Sequence, residues 1–154
     1  MFREMRRSDK KIPEEAAIAI LERGTYGVLS TVGADGYPYG IQVNYVYEDG
    51  KIYFHSTSAG GHKKENMEYC DKVCFTVTES VEILAEAFNT KFESVIVFGR
   101  IREASERKQE ILEAILGKYA AGYKEAGLEY IRKAADKTSV YEITVEAVSG
   151  KAKY

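Results

Sequence analysis

The sequence predicts a mainly β fold with flanking helices, built as a small antiparallel barrel of about six strands. Three observations predict it. After Gly24 the spacing of apolar residues drops from three or four to two, and alternating runs then recur down the chain. Turn material, Gly33-Ala34-Asp35-Gly36 and Asp49-Gly50, separates successive runs. Helical stripes interrupt the strands, so helices pack outside the barrel.

The first element is a helix from Pro13 to Arg23. Pro13 suits its first turn, Glu14 and Glu15 suit its positive dipole end, and Gly24 can close it. Ala17, Ile20 and Leu21 form its buried stripe. Tyr26 to Val32 reads as a strand, and Tyr37 to Tyr47 returns beside it. Asp49-Gly50 then predicts a two-residue hairpin turn to a third strand, Ile52 to His55. That turn fixes a register in which Tyr47 faces Ile52, Val46 faces Tyr53 and Tyr45 faces Phe54. Ile41, Val43, Tyr45, Tyr47, Ile52 and Phe54 then share one face. The opposite face brings Asn44 directly across from His55 and Gln42 across from Thr57. These polar side chains suit hydrogen bonding to a heteroaromatic ring, and equally suit the wet face of an ordinary sheet.

A short helix follows, from about Gly61 to Tyr69, then a strand Lys72 to Thr78 with Val73, Phe75 and Val77 inward. Glu79 to Phe92 reads as a less regular stretch with a loop around Asn89-Thr90-Lys91. Glu93 to Arg102 is the longest strand, with Gly99 as a bulge or bend. Ser105 to Tyr119 is helical through Ile111, Leu112, Ile115, Leu116 and Tyr119. After Gly122 a second helical segment carries Leu128, Ile131 and Ala135. Ser139 to Val145 alternates as a half-exposed strand, and Ser149 to Lys153 ends the chain.

The whole, residues 1–154, reads as one domain with an N-terminal arm over 1–12. A net charge of −2 gives no electrostatic footprint for nucleic acid. No apolar run reaches the roughly 20 residues of a membrane span, and no signal core opens the chain, which places it in the cytoplasm. Cys70 and Cys74 read as reduced thiols. With His55 and His62 they match no zinc spacing, so no metal is expected.

The chemistry concentrates between Lys51 and Met67. A strand ends at His55 and runs through Ser56 into a Ser/Gly loop, and Gly60-Gly61 opens a helix whose first turn carries His62, Lys63 and Lys64. Glycines allow a close backbone approach, a helix start aims free N–H groups outward, and cations sit where an anion would lie. The stretch reads as a phosphate clamp. It has neither the spacing of a nucleoside triphosphatase loop nor that of a dinucleotide fold.

Four runs together resemble a known family: Gly27 to Gly40, Asn44 to His55, Gly61-His62-Lys63 and Lys72 to Phe75. Glu93 to Gly99 and Ser149-Gly150-Lys151 extend the match. The chain resembles the pyridoxamine 5′-phosphate oxidase-like split-barrel flavoproteins, and within them the 5-nitroimidazole-resistance (Nim) branch. The resemblance implies a six-stranded antiparallel split β-barrel that works as a homodimer with FMN in clefts at the interface. It further implies that Ser56, His62 and Lys63 hold the phosphate, that Gln42, Val43 and Asn44 line the flavin, and that His55 faces the cofactor as the candidate catalytic group. Ser94 would come from the other subunit. Gln42 departs from the proline usual at its position, and the arginine-rich grip and C-terminal substrate motif of the oxidase proper are absent, which argues against vitamin B6 oxidation. The implied function is an FMN-dependent oxidoreductase acting on a small planar acceptor, of nitroimidazole-reductase type. The alternatives are a non-enzymatic FMN-binding or electron-carrier protein and a haem-binding split barrel.

Overall fold

The computed structural model describes residues 2–154, and its frame is one eight-stranded antiparallel sheet wrapped into a split barrel. The strands are β1 (Lys11–Ile12), β2 (Gly27–Val32), β3 (Pro38–Val43), β4 (Val46–Glu48), β5 (Lys51–Thr57), β6 (Lys72–Leu84), β7 (Asn89–Glu103) and β8 (Thr138–Lys153). The helices are α1 (Glu14–Arg23), α2 (His62–Tyr69), α3 (Lys108–Tyr119) and α4 (Lys124–Ala134). The sheet runs β3-β2-β6-β7-β8-β5-β4, with β1 added on β8. Its two ends, β3 and β4, are consecutive in the chain and joined through Asn44-Tyr45, so covalent continuity rather than a ladder closes the barrel.

The strand count exceeds the expected six for two reasons. The expected strand from Tyr37 to Tyr47 is cut at Asn44-Tyr45, and Lys11–Ile12 pairs with Lys151 and Gly150. The first part of the arm therefore folds back on the barrel, with Phe2 stacked on Phe98 at 5.2 Å; its Met1 lies outside the described residues.

Two cores follow from the alternation. Inside the barrel, Leu29, Phe54, Phe75, Val97 and Ile143 are fully buried, and α1 plugs one side with Ala17, Ile20 and Leu21. Each such side chain contributes roughly 2 kcal/mol by leaving water. Outside the barrel, α3 and α4 lay Ile111, Leu112, Ile115 and Ile131 over Val46, Tyr53 and Val140.

The Asp49-Gly50 turn is present, with φ of 49° and 78° at its two residues, as the tight hairpin turn requires. The predicted pairs Val46–Tyr53 and Tyr47–Ile52 are made, with Glu48–Lys51 next to the turn, but the expected Tyr45–Phe54 pair is not. Two other expectations are corrected. The loop expected around Asn89-Thr90-Lys91 is strand: β6 and β7 continue as a two-stranded ribbon past a bulge at Ser80 and turn at Ala85–Ala87, so the irregularity of Glu79 to Phe92 is confined to those two places. The segment Ser149 to Lys153 is the end of β8, whose pairing with β7 runs to Phe92–Lys153. The irregularity expected at Gly99 is there, with Glu146 the extra residue, and a Cβ on Gly99 would meet the Thr144 carbonyl oxygen at 2.3 Å.

Candidate functional site

The hairpin opens after Val46–Tyr53, and the site lies where it opens. The ladder expected to bring Asn44 opposite His55 and Gln42 opposite Thr57 is not formed. Instead β3 stays with β2, placing Gln42 across from Val28, while β5 stays with β8, placing His55 across from Val140. Tyr45 causes the divergence. Its ring is fully buried, its hydroxyl donates to the Leu21 carbonyl at 2.6 Å, and its backbone N–H donates to the Tyr119 hydroxyl oxygen at 3.0 Å. Its carbonyl accepts from the Lys118 ammonium at 3.0 Å. The polar backbone groups at the break are thus satisfied from α3, and the strands separate at little cost.

The wedge between β3 and β5 is filled by the start of α2. A hollow of about 120 Å³ is lined there by Tyr39, Ser56, Thr57, Gly61, His62 and Lys63. The sequence fixes this arrangement locally. Gly60 and Gly61 have φ of 88° and 144°, which a side chain would resist, and they turn the chain sharply from β5 into the helix. Asn66, one turn in, is buried and donates to the Thr31 hydroxyl at 3.0 Å, clamping α2 on β2 where Gly33 leaves it room. The Lys63 ammonium donates to Ser56 Oγ at 2.5 Å, which leaves the Ser56 proton free for another acceptor. The His62 ring stacks on Tyr39 at 4.0 Å, and no side chain caps the helix. Partial burial pushes the Lys63 pKa down. A cation held half out of water, a free hydroxyl proton, an imidazole and the open N–H groups of a first helical turn form a set rich in donors, with no carboxylate in the lining. It suits a phosphate.

His55 and Thr57 lie on the outer face of β5, beyond the part that α3 covers. They border a second hollow of about 450 Å³, whose far wall is Leu112, Leu116, Tyr130 and Ala134. Neighbouring groups crowd water from His55 and, with the Lys63 charge as the second cause, hold its pKa below the usual histidine value. Both causes favour the neutral imidazole. Ser56 and Thr57 line both hollows and join them. Gln42, Val43 and Asn44 border a third, of about 210 Å³, with Tyr26; the Asn44 amide donates to the Thr25 carbonyl at 3.1 Å.

Of the eight site residues expected from sequence, Ser56, His62 and Lys63 thus converge, with His55 adjoining them through β5. Gln42, Val43 and Asn44 form a separate group across the break. Ser94 belongs to neither: it pairs with Thr78 and Lys151, eleven residues along β8 from the partner of His55. Sequence reasoning gave no particular role to Tyr39, which supports His62, and missed Tyr119, which holds the break and borders the larger hollow. Tyr39 could have been found from its place on the face shared with Ile41. Nothing local marks Tyr119.

Comparison with solved structures places the fold. A candidate 5-nitroimidazole antibiotic resistance protein from Bacteroides thetaiotaomicron is 20% identical with a TM-score of 0.72, covering 92% of this chain and 85% of its own. An FAD-binding protein from Mesorhizobium loti is 21% identical at 0.69, covering 94% and 98%. A flavocytochrome from Azotobacter vinelandii is 22% identical at 0.77, covering 99% and 73%. No curated protein matches the chain. No described helix is long and apolar enough to cross a membrane. The sequence model of the pyridoxamine 5′-phosphate oxidase family matches residues 13–152, nearly the whole length, and the chain belongs to that family.

Proposed function

We propose that the protein is an FMN-dependent oxidoreductase that reduces a small planar acceptor, of nitroimidazole-reductase type. The observation that carries the reading is the start of α2, where Lys63, His62, the Ser56 hydroxyl and open N–H groups face one hollow between parted strands. A dianionic phosphate matches that donor set better than a carboxylate or a neutral group does. The donors fit the FMN phosphate, and the polar edge of Gln42 and Asn44 fits the heteroatoms of a flavin ring.

When bound, FMN supplies hydride and electron transfer to the acceptor. The chain's own part is binding and orientation. Lys63 neutralises phosphate charge, Ser56 donates its free proton, and His62 is steadied by Tyr39 for a further donation. His55, whose surroundings favour the neutral imidazole, would offer one N–H donor and one lone pair beside the larger hollow and orient what stands there.

Because Ser94 lies apart from the cradle within one chain, a second copy would supply it, and we take the working form to be a homodimer. The ribbon of β6 and β7 supports this, since it exposes Val81, Ile83 and Phe88, a surface that a second copy would cover. The free thiols Cys70 and Cys74 suit a reducing compartment such as the cytoplasm. A haem would need His55 or His62 as an axial ligand, but His62 lies flat on Tyr39 and its loop presents N–H donors, which favour phosphate.

The test is the visible spectrum of the purified protein before and after FMN is added, followed by turnover of a nitro compound with a reductant. One FMN per chain with turnover is the expected result. A flavin that binds and reduces without turnover would make the protein a carrier, and a protein that ignores FMN would end the proposal.

A further inference from the structure

The larger hollow, between β5 and the α3–α4 pair, has a chemistry that phosphate binding does not use. At about 450 Å³ it falls in the range of roughly 300–1,000 Å³ typical of small-ligand sites. Its wall from α3 and α4 is apolar and partly aromatic, through Leu112, Leu116, Tyr119 and Tyr130. Its other side ends in His55, Thr57 and Lys137. Thr57 Oγ1 accepts from the Ala59 N–H at 3.4 Å, which leaves its own proton free, whereas the Thr138 hydroxyl is spent on the Ala134 carbonyl at 2.8 Å. None of the residues lining the hollow is a carboxylate, although the chain holds 24 of them. The polar end therefore offers donors and one cation against an apolar slot.

We propose that this groove binds a small aromatic anion, with its ring against α3 and α4 and its anionic group toward Lys137 and Thr57. The proposal deepens the reading above, and rests on it only for the view that the bound molecule is the acceptor beside the cofactor. The binding itself needs no flavin.

The chain contains no tryptophan, so one can be introduced as a unique reporter. Tyr130 is 75% exposed at the rim of the groove, and Tyr69 is 64% exposed at the end of α2, outside the groove lining. The variants Tyr130→Trp and Tyr69→Trp are titrated with 4-nitrobenzoate and with its neutral analogue 4-nitrotoluene, both of which quench indole fluorescence. FMN affinity is measured separately from its visible band. The expected result is saturable quenching in Tyr130→Trp alone, with the carboxylate bound roughly threefold or more tightly than the neutral compound. Adding Lys137→Glu should erase that preference, and adding Ala134→Phe should abolish saturation by filling the slot. Equal quenching at both reporters, no saturation, or a charge preference that survives Lys137→Glu would each overturn the proposal. FMN binding without nitrobenzoate binding would sink this inference and leave the flavin reading standing. Saturable nitrobenzoate binding without FMN binding would do the reverse.

Discussion

Replacing Lys63 by alanine should separate ligand binding from folding. In the wild type the ammonium stands 2.5 Å from Ser56 Oγ inside the wedge between β3 and β5. A hydrogen bond to a charged partner is worth about 1.5–3 kcal/mol. At 1.4 kcal/mol per decade, its loss weakens FMN by roughly 10- to 100-fold. Folding should barely change. Burial already pushes the Lys63 pKa down, so the free protein carries a cost for that charge, and Ser56 is exposed enough for water to replace the lost donor. The expected change in stability is within about 0.5 kcal/mol. The assay is a titration of FMN fluorescence at fixed salt, paired with thermal unfolding of the apo protein. Lys133→Ala, on the exposed side of α4, controls for net charge. An FMN affinity within twofold of wild type, at unchanged stability, would refute the phosphate role and the reasoning from the donor set.

Three further outcomes are expected. Asn66→Ala removes the buried bond to Thr31 and should cost about 1–3 kcal/mol in denaturant unfolding while also weakening FMN, because α2 loses its seat on β2. His55 titrates below its ordinary value of 6.5, so the unfolded chain takes up its proton first and stability falls as pH drops through the window beneath 6.5. Histidine NMR should report the lowered pKa, and inorganic phosphate at the cradle should raise it by offsetting the Lys63 charge; an unmoved resonance would place the anion elsewhere. Glu142, with only 3% of its side chain exposed, accepts from Arg102 Nε at 3.1 Å and from Lys51 Nζ at 3.3 Å. Burial raises its pKa, but the two cations outweigh burial and leave it low, so its stabilisation holds above the ordinary 4.5 and is lost as pH falls through the folded value. Glu142→Gln should cost about 1–2 kcal/mol at pH 7 and flatten the acid limb of the stability profile.

What could be read from the sequence was what is encoded locally. Asp49-Gly50 demands positive φ at both positions, and that alone sets the register of the hairpin. Ala17, Ile20 and Leu21 could be assigned inward because a helix stripe needs no knowledge of its partner. Gly60-Gly61 followed by His62-Lys63 announced a loop closing on a helix start, and the structure has it. The errors lie where distant segments compete. The ribbon of Glu79 to Phe92 looked irregular because the bulge at Ser80 breaks the alternation, and because the exposed Val81, Ile83 and Phe88 leave no buried face from which to recognise a strand. The groove beside His55 was invisible because half of its wall arrives from α3 and α4, more than fifty positions later.

Packing between distant segments, Tyr45 against α1 and α3, explains why the barrel is split at all. Asp49-Gly50 starts a zipper that the alternation of Gln42 to Tyr47 would let run on to Thr57, and simple continuation would have sealed the wedge. Tyr45 stops it, its ring drawn into the core and its backbone bonded from α3. β5 meets β8 along its whole length, from Lys51–Thr144 to Thr57–Thr138, and β3 meets β2 from Pro38 to Val43, each by the edge that faces away from the wedge. The chain between them must then cross from one sheet end to the other, and backbone groups left bare at that crossing would be costly. Lys118 and Tyr119 remove the cost. The ammonium sits 4.1 Å over the Tyr45 ring while holding the carbonyls of Gly24 and Tyr45, at 2.6 and 3.0 Å. The Tyr119 hydroxyl takes the Tyr45 N–H and lies within 2.8 Å of both the Thr25 and Tyr45 carbonyls, between which its one proton is shared. Burial lowers the Lys118 pKa, and Glu79 partly restores it. A helix that looks like a plain cover for the sheet is thus what keeps two strands apart, and the cradle for an anion exists because those strands never meet.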